Sequence, residues 1–250
     1  MGPDTYQPHL LPFSNTNESQ LVTGFVSSAA LIRTTNNPEC QASGVRQRFE
    51  KRFCVLHVSI MALAIGSMLY HATLQRAQQQ SDETPMMWEI LLYMYILYSP
   101  DWHYPRTMPI FLFLYGVIFG IVHSVVRFGI GFKVHYVILC LLCIPRMYKY
   151  YIYTDSVCAK RLGKLYVITL LLGGLCWLCD HVFCKEISRW PFNPQGHALW
   201  HLFMGFNSYF ANTFLMFCRS QQLAWSPKIV RLMGVLPYVK IQKPKCSKRK

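Results

Sequence analysis

Three histidines, one serine and one aspartate in this 250-residue chain have the types and spacing for metal-assisted hydrolysis. His197 and His201 stand four residues apart in GHALWHLFMGFNSYFANTFLMFC, an uncharged stretch from Gly196 to Cys218. Residues i and i+4 share one helix face, so the two imidazoles project together. Ser67 and His71 repeat that spacing, and Asp82 follows after a short polar loop. Three neutral imidazoles with one open position make a catalytic zinc set, and a zinc-bound water ionises near neutral pH and attacks a carbonyl. An adjacent aspartate can accept its proton, while a serine hydroxyl can hydrogen-bond the developing oxyanion.

Each of these features alone has an ordinary explanation. An HxxxH pair by itself is a weak metal signal. Asp82 alone reads as an acid complementing a helix start, and Ser67 alone as a small residue at a helix contact. His57, His123 and His135 read as hydrogen-bonded packing residues. Only a topology that brings the five residues to one place favours a site.

The elements that must do so are membrane helices. Hydrophobic residues make up 52% of the chain and charged residues only 14%, with a mean hydropathy of +0.21, against about 25% charge in a soluble domain. A bilayer core takes roughly 20 apolar residues per helix. Six spans are expected, at Phe53–Leu74, Thr84–Tyr98, Met108–Val126, Val134–Ile144, Leu165–Cys184 and His197–Cys218, with a seventh and weaker one at Leu21–Ile32. The fold class is all-α, a polytopic seven-transmembrane helical bundle; a β-barrel needs alternating ten-residue segments instead. Domain organisation is a luminal N-terminus over 1–20, the seven-helix domain over 21–220 and a basic cytosolic C-terminal tail over 221–250.

The net charge of +14 suggests nucleic acid until the basic residues are placed. They fall between the apolar spans, so the positive-inside rule is the better reading, with attraction to acidic headgroups a by-product. Twenty of the 25 lysines and arginines, among them Arg52, Arg146, Lys164 and Arg219, lie on one side of the expected topology and five on the other. The C-terminus is therefore expected in the cytosol and the N-terminus in the lumen. Ser67, His71, Asp82, His197 and His201 then arrive at similar depth near the luminal side, from three helices. Asp180 joins them as a support behind the site's own residues or an interhelical hydrogen bond, and Glu89 reads as a lumen-proximal solvated acid.

The first twenty residues lack the pattern of a cleavable signal peptide. Asn17-Glu18-Ser19 is a glycosylation sequon expected on the luminal side. The ten cysteines lack zinc-ribbon spacing, and Cys184, at the luminal border, has no obvious disulfide partner.

At these motifs the chain resembles the alkaline ceramidases, and within them the phytoceramidase type (alkaline ceramidase 3-like). GSMLYHATLQRAQQQSDETPMMW resembles their S-x3-H … D-E-x-P-M segment, GHALWHLFMGFNSY their H-A-x-W-H-x-x-x-G segment, and CWLCDHVFC their W-x-x-D-x-x-F-C segment. RFEKRF before the second span and RSQQLAWSPKIVRLMGVLP in the tail are similar to the phytoceramidase-type members. The likeness runs from about residue 45 to 237, with the motifs in the same order.

The resemblance implies a seven-transmembrane zinc amidase of the endoplasmic reticulum and Golgi that cleaves ceramide or phytoceramide to a sphingoid base and a fatty acid. It implies His71, His197 and His201 as zinc ligands, Asp82 as the residue that activates or holds the water, and Ser67 as its support. The expected partner is a ceramide-type lipid in the membrane, with no nucleic acid and no protein partner. The N-terminus departs from the family. Pro12 stands where an acid of the phytoceramidase-type calcium site would fall, and the earlier acidic segment, with its cysteine, is missing. No calcium ligands are assigned; the chain is expected to dispense with that site or to have a divergent or truncated start. Two other readings stand beside the amidase: a lipid-binding receptor or regulator of the wider progestin and adipoQ receptor-like superfamily, and an inactive ceramidase homologue.

Overall fold

A computed structural model describes residues 44–73, 79–101, 103, 106–126, 129–183, 186, 196–232 and 236–242. Six long helices occupy most of this length: α1 (Gly44–Thr73), α2 (Gln79–Tyr98), α3 (Thr107–Val126), α4 (Gly129–Tyr153), α5 (Val157–Val182) and α6 (Gly196–Gln222). A two-stranded antiparallel hairpin, β1 (Ser226–Leu232) and β2 (Leu236–Gln242), follows. The expected span at Leu21–Ile32, the sequon at Asn17, the N-terminal departure and Cys184 lie outside the described residues. No disulfide joins the cysteines among the described residues.

Four helical stretches, Lys51–His71, Thr107–Val126, Gly131–Tyr153 and Val157–Val182, are long and apolar enough to cross a membrane. Their outer faces carry large exposed side chains such as Phe111, Ile118, Val125, Leu171 and Leu178. In water such a surface would drive association; in a bilayer it faces its solvent. The two helices that fall short of that standard, α2 and α6, are the ones turned inward. Residues 211–218 of α6 are buried without interruption, and α2 buries Met87, Ile90, Leu91, Tyr93, Ile96 and Leu97. Surrounded by protein, these helices can carry acids, histidines and asparagines that a lipid-facing surface cannot.

The pairing of α1 with α2 sets the site. Pro85 has no N–H to offer the Ser81 carbonyl, its helical partner four residues back. That carbonyl lies against Gly66, so close that a Cβ there would collide with it. The Ser81 hydroxyl in turn donates 2.9 Å to the Gly66 carbonyl. Ser67, the next residue, is brought against α2 at the level of Asp82. A second close approach occurs between α5 and α6, where a Cβ on Gly196 would stand 2.8 Å from the Cys176 carbonyl.

The structure departs from the expected elements at helix ends and in the tail. First, α4 extends from Gly129 to Tyr153 rather than Val134–Ile144, and α5 begins at Val157, capped by Ser156, rather than at Leu165. Polar and basic residues at these ends continue the helices beyond the apolar stretch, because helix length does not end where hydropathy does. Second, the fold is not all-α to its end, since part of the segment taken as a tail is the hairpin. Along β1, Pro227 and Ile229 are half-buried while Lys228 and Val230 are exposed, the period-2 pattern of a strand with one buried face. Ile229 faces Val239 on β2, which is buried in the common core, and the Tyr209 hydroxyl donates to the Pro237 carbonyl over 2.7 Å. Tyr209 is 13 residues before the end of α6, about 20 Å at 1.5 Å per residue. The hairpin therefore folds back along the helix rather than trailing away from it.

Candidate active site

His71 comes from the last turn of α1; His197 and His201 come from the first two turns of α6. Their Nε2 atoms form a small triangle, 3.0 Å from His71 to His201, 3.2 Å from His201 to His197 and 3.4 Å from His197 to His71. The rings meet edge-on, at interplanar angles of 65°, 83° and 88°. Neutral imidazole offers either one N–H or one lone pair at Nε2. Donor and acceptor cannot alternate around a ring of three, so hydrogen bonding alone leaves one side of the triangle opposed. A single electrophile facing all three lone pairs removes that conflict. For a tetrahedral ion with metal–nitrogen bonds of about 2.0–2.1 Å, ligand atoms stand roughly 3.3–3.4 Å apart, which the triangle approaches. The donor set suits zinc, and His201 is buried while its two partners are partly so.

Ser67 is 1% exposed and its side chain hydrogen-bonds that of Asp82. Ser67, Asp82 and His201 line one cleft of about 480 Å³, a volume that includes the space at its mouth. Ile60, Leu63, Ala64, Met86, Trp200 and Met204 form its apolar walls. All five residues singled out from the sequence thus lie at one end of α1, α2 and α6, with the Ser67–Asp82 pair and the triangle joined through the cleft wall. Asp180 sits beside them at the start of α6, where a Gly196 Cβ would stand 3.4 Å from its Oδ1.

Glu89 corrects the sequence reading. It is 7% exposed, hydrogen-bonded to Ser208, and lines the cleft together with Tyr136. It is not a solvated acid. Glu89 follows Asp82 by seven residues, and Ser208 follows His201 by seven, two helical turns in each case. Both therefore repeat the site's helix faces about 10 Å deeper. That offset was available in the sequence once the faces were known. The Glu83–His123 pair was not. His123 Nε2 meets Glu83 Oε2 at 2.6 Å, and Gln79 Nε2 donates to Glu83 Oε1 at 2.8 Å. It ties the start of α2 to α3 beside Asp82, and no local spacing announces a contact across 40 residues. His57 donates from Nδ1 to the Phe53 carbonyl, 2.7 Å away, and His135 pairs with the Tyr115 hydroxyl.

The family pattern of the ceramidases matches residues 15–240. The chain is 75% identical over 203 residues to an alkaline ceramidase of Arabidopsis thaliana, covering 81% of this chain and 80% of that one. Against alkaline ceramidase 3 of Mus musculus it is 28% identical over 211 residues, 78% and 77% of the two chains. Against an alkaline ceramidase of Drosophila melanogaster it is 24% identical over 161 residues, 62% of this chain and 56% of the other. A match along nearly the whole chain, on a bundle whose apolar cleft ends at a histidine triangle, establishes that the chain belongs to the ceramidase family of hydrolases.

Proposed function

We propose that this protein is a zinc-dependent membrane amidase that cleaves the N-acyl bond of ceramide or phytoceramide to a sphingoid base and a free fatty acid. The observation that carries this reading is the Nε2 triangle of His71, His197 and His201 set beside the Ser67–Asp82 pair at the head of an apolar cleft. The three imidazoles would hold the ion. When bound, zinc acts as a Lewis acid on water and on the amide carbonyl.

The remaining work falls to the chain's own residues. Asp82 is positioned to take the proton of the attacking water and to return it to the departing amine nitrogen, the general base and acid of the two halves of the reaction. Ser67 donates to Asp82 and holds its carboxylate toward the cleft; as the carbonyl oxygen gains charge, the same hydroxyl is available to it. The apolar walls take up alkyl chain and exclude water, so that each polar contact at the head of the cleft acts in a low dielectric. Ceramide, an amide between two long chains, suits a site at the membrane border with a cleft running inward.

Seven spans, with one supplied by residues 21–32, a luminal N-terminus, a cytosolic C-terminus and residence in the endoplasmic reticulum or Golgi complete the reading. Its supports are the asymmetry of the basic residues and the family. Hydrolysis of ceramide by purified protein, compared with Asp82→Asn, tests it: the variant is expected to keep its metal and lose about 100- to 10,000-fold in turnover. Stoichiometric ceramide binding without release of fatty acid, in the wild type, would instead favour a receptor.

A further inference from the structure

The end of the bundle opposite the histidines holds a second cluster that the hydrolytic site does not use. Arg52 near the start of α1, Arg146 in the second half of α4 and Arg219 in the last turn of α6 gather there: the first two meet the turn after α2, and Arg219 meets Arg146 at Tyr150. Arg52 Nη1 donates to Ser99 Oγ at 3.4 Å and its guanidinium lies 4.9 Å above the Tyr95 ring. Arg146 pairs with Asp101, lies 4.9 Å from the Tyr150 ring centre and reaches the Tyr150 hydroxyl at 3.4 Å. Arg219 bonds the same hydroxyl and Gln222, and both other arginines stand near enough to act on it electrostatically.

Two features distinguish this cluster from charges that merely orient the chain. A topological arginine is best left in water, whereas Arg146 is only 9% exposed and its Nε has no hydrogen-bond partner among the described residues. Among the described residues one carboxylate, Asp101, pairs with Arg146, and the acceptors that meet Arg52 and Arg219 are neutral. Like charges brought together in a partly buried place repel, and a buried donor without an acceptor is costly. An anion between them relieves both. Guanidinium forks from three helices ask for a ligand with acceptor oxygens in several directions, which a phosphate group offers and a planar carboxylate does not.

We infer that Arg52, Arg146 and Arg219 form a binding site for a phosphate monoester at the end of the bundle opposite the hydrolytic centre. The same chemistry is available from a lipid headgroup in the adjoining leaflet or from a soluble phosphate. Binding there links α1, α4 and α6, and so stabilises the helices that carry the histidines.

The test uses the full-length protein in phosphatidylcholine nanodiscs and follows the thermal midpoint. Phosphatidic acid replaces part of the phosphatidylcholine in one series; inorganic phosphate is added in the other. A rise with phosphatidic acid alone assigns the site to a headgroup, and a rise with inorganic phosphate assigns it to a soluble ligand. In Arg219→Gln the half-effective concentration is expected to rise about tenfold, the loss of one charge-assisted contact; Arg146→Gln behaves likewise. Lys149→Gln, an exposed charge at the same end, is expected to respond as wild type. No rise in either series, or an equal rise in Arg219→Gln and wild type, overturns the proposal. Should Arg146→Gln not fold, Arg219→Gln decides alone, since its side chain is only partly buried. Because no ceramide is turned over, failure here leaves the amidase reading untouched.

Discussion

Ser67 and Asp82 are the residues through which the proposed chemistry is most finely separable from metal binding. Neither belongs to the histidine triangle, and each is one atom pair away from the other in a buried hydrogen bond. Ser67→Ala removes a hydroxyl of almost no volume from a site that is 1% exposed, so the fold is expected to survive. Turnover is expected to fall about 100- to 1,000-fold, the usual loss for one oxyanion donor, with metal content unchanged. A loss of metal in step with turnover would make Ser67 a structural support instead. For Asp82→Asn the proton acceptor itself disappears, and the larger loss given above is expected in single-turnover measurements.

The element scale decides whether those residues meet. The α1–α2 contact depends on Gly66 lying against the Ser81 carbonyl in a helix whose Pro85 has no donor for it. Gly66→Ala puts a methyl group into backbone, which cannot move as a side chain can; a cost of about 1–3 kcal/mol and a lowered thermal midpoint are expected, with reduced turnover because Ser67 shifts from Asp82. At the other end, Ala224 takes φ 55° between α6 and β1, where Trp225 N–H bonds the Ser220 carbonyl. A β-branched residue is strained in that left-handed conformation, so Ala224→Val is expected to cost about 1–3 kcal/mol by loosening the hairpin from α6, read as a lower midpoint. The helices themselves were legible, because all six announce their apolar runs and the HxxxH and SxxxH pairs fix a face. The hairpin was hidden by its short alternation, interspersed with Lys228, Arg231 and Lys240, which reads equally as a polar tail. The ends of α4 and α5 were hidden because tyrosine and lysine extend a helix without extending its apolar stretch.

At the scale of the whole molecule, the distribution of polar groups makes one argument. Four helices meet the requirements of a membrane crossing, and the polar ones, α2 and α6, sit within the bundle with Asp82, Glu89 and His201 toward one cleft. Sequence alone brought His71, His197, His201, Ser67 and Asp82 to a common depth through the count of lysines and arginines. It could not supply the Glu83–His123 pair or the Arg52–Arg146–Arg219 cluster, whose members come from distant helices with no shared spacing. The central claim is that the triangle holds the ion on which turnover depends. Zinc content and ceramide turnover measured together on purified wild type and His197→Ala test it most directly. One zinc per chain with active wild type, and parallel loss of both in a folded variant, is the expected result. Full zinc content with unchanged ceramide turnover in His197→Ala would contradict it.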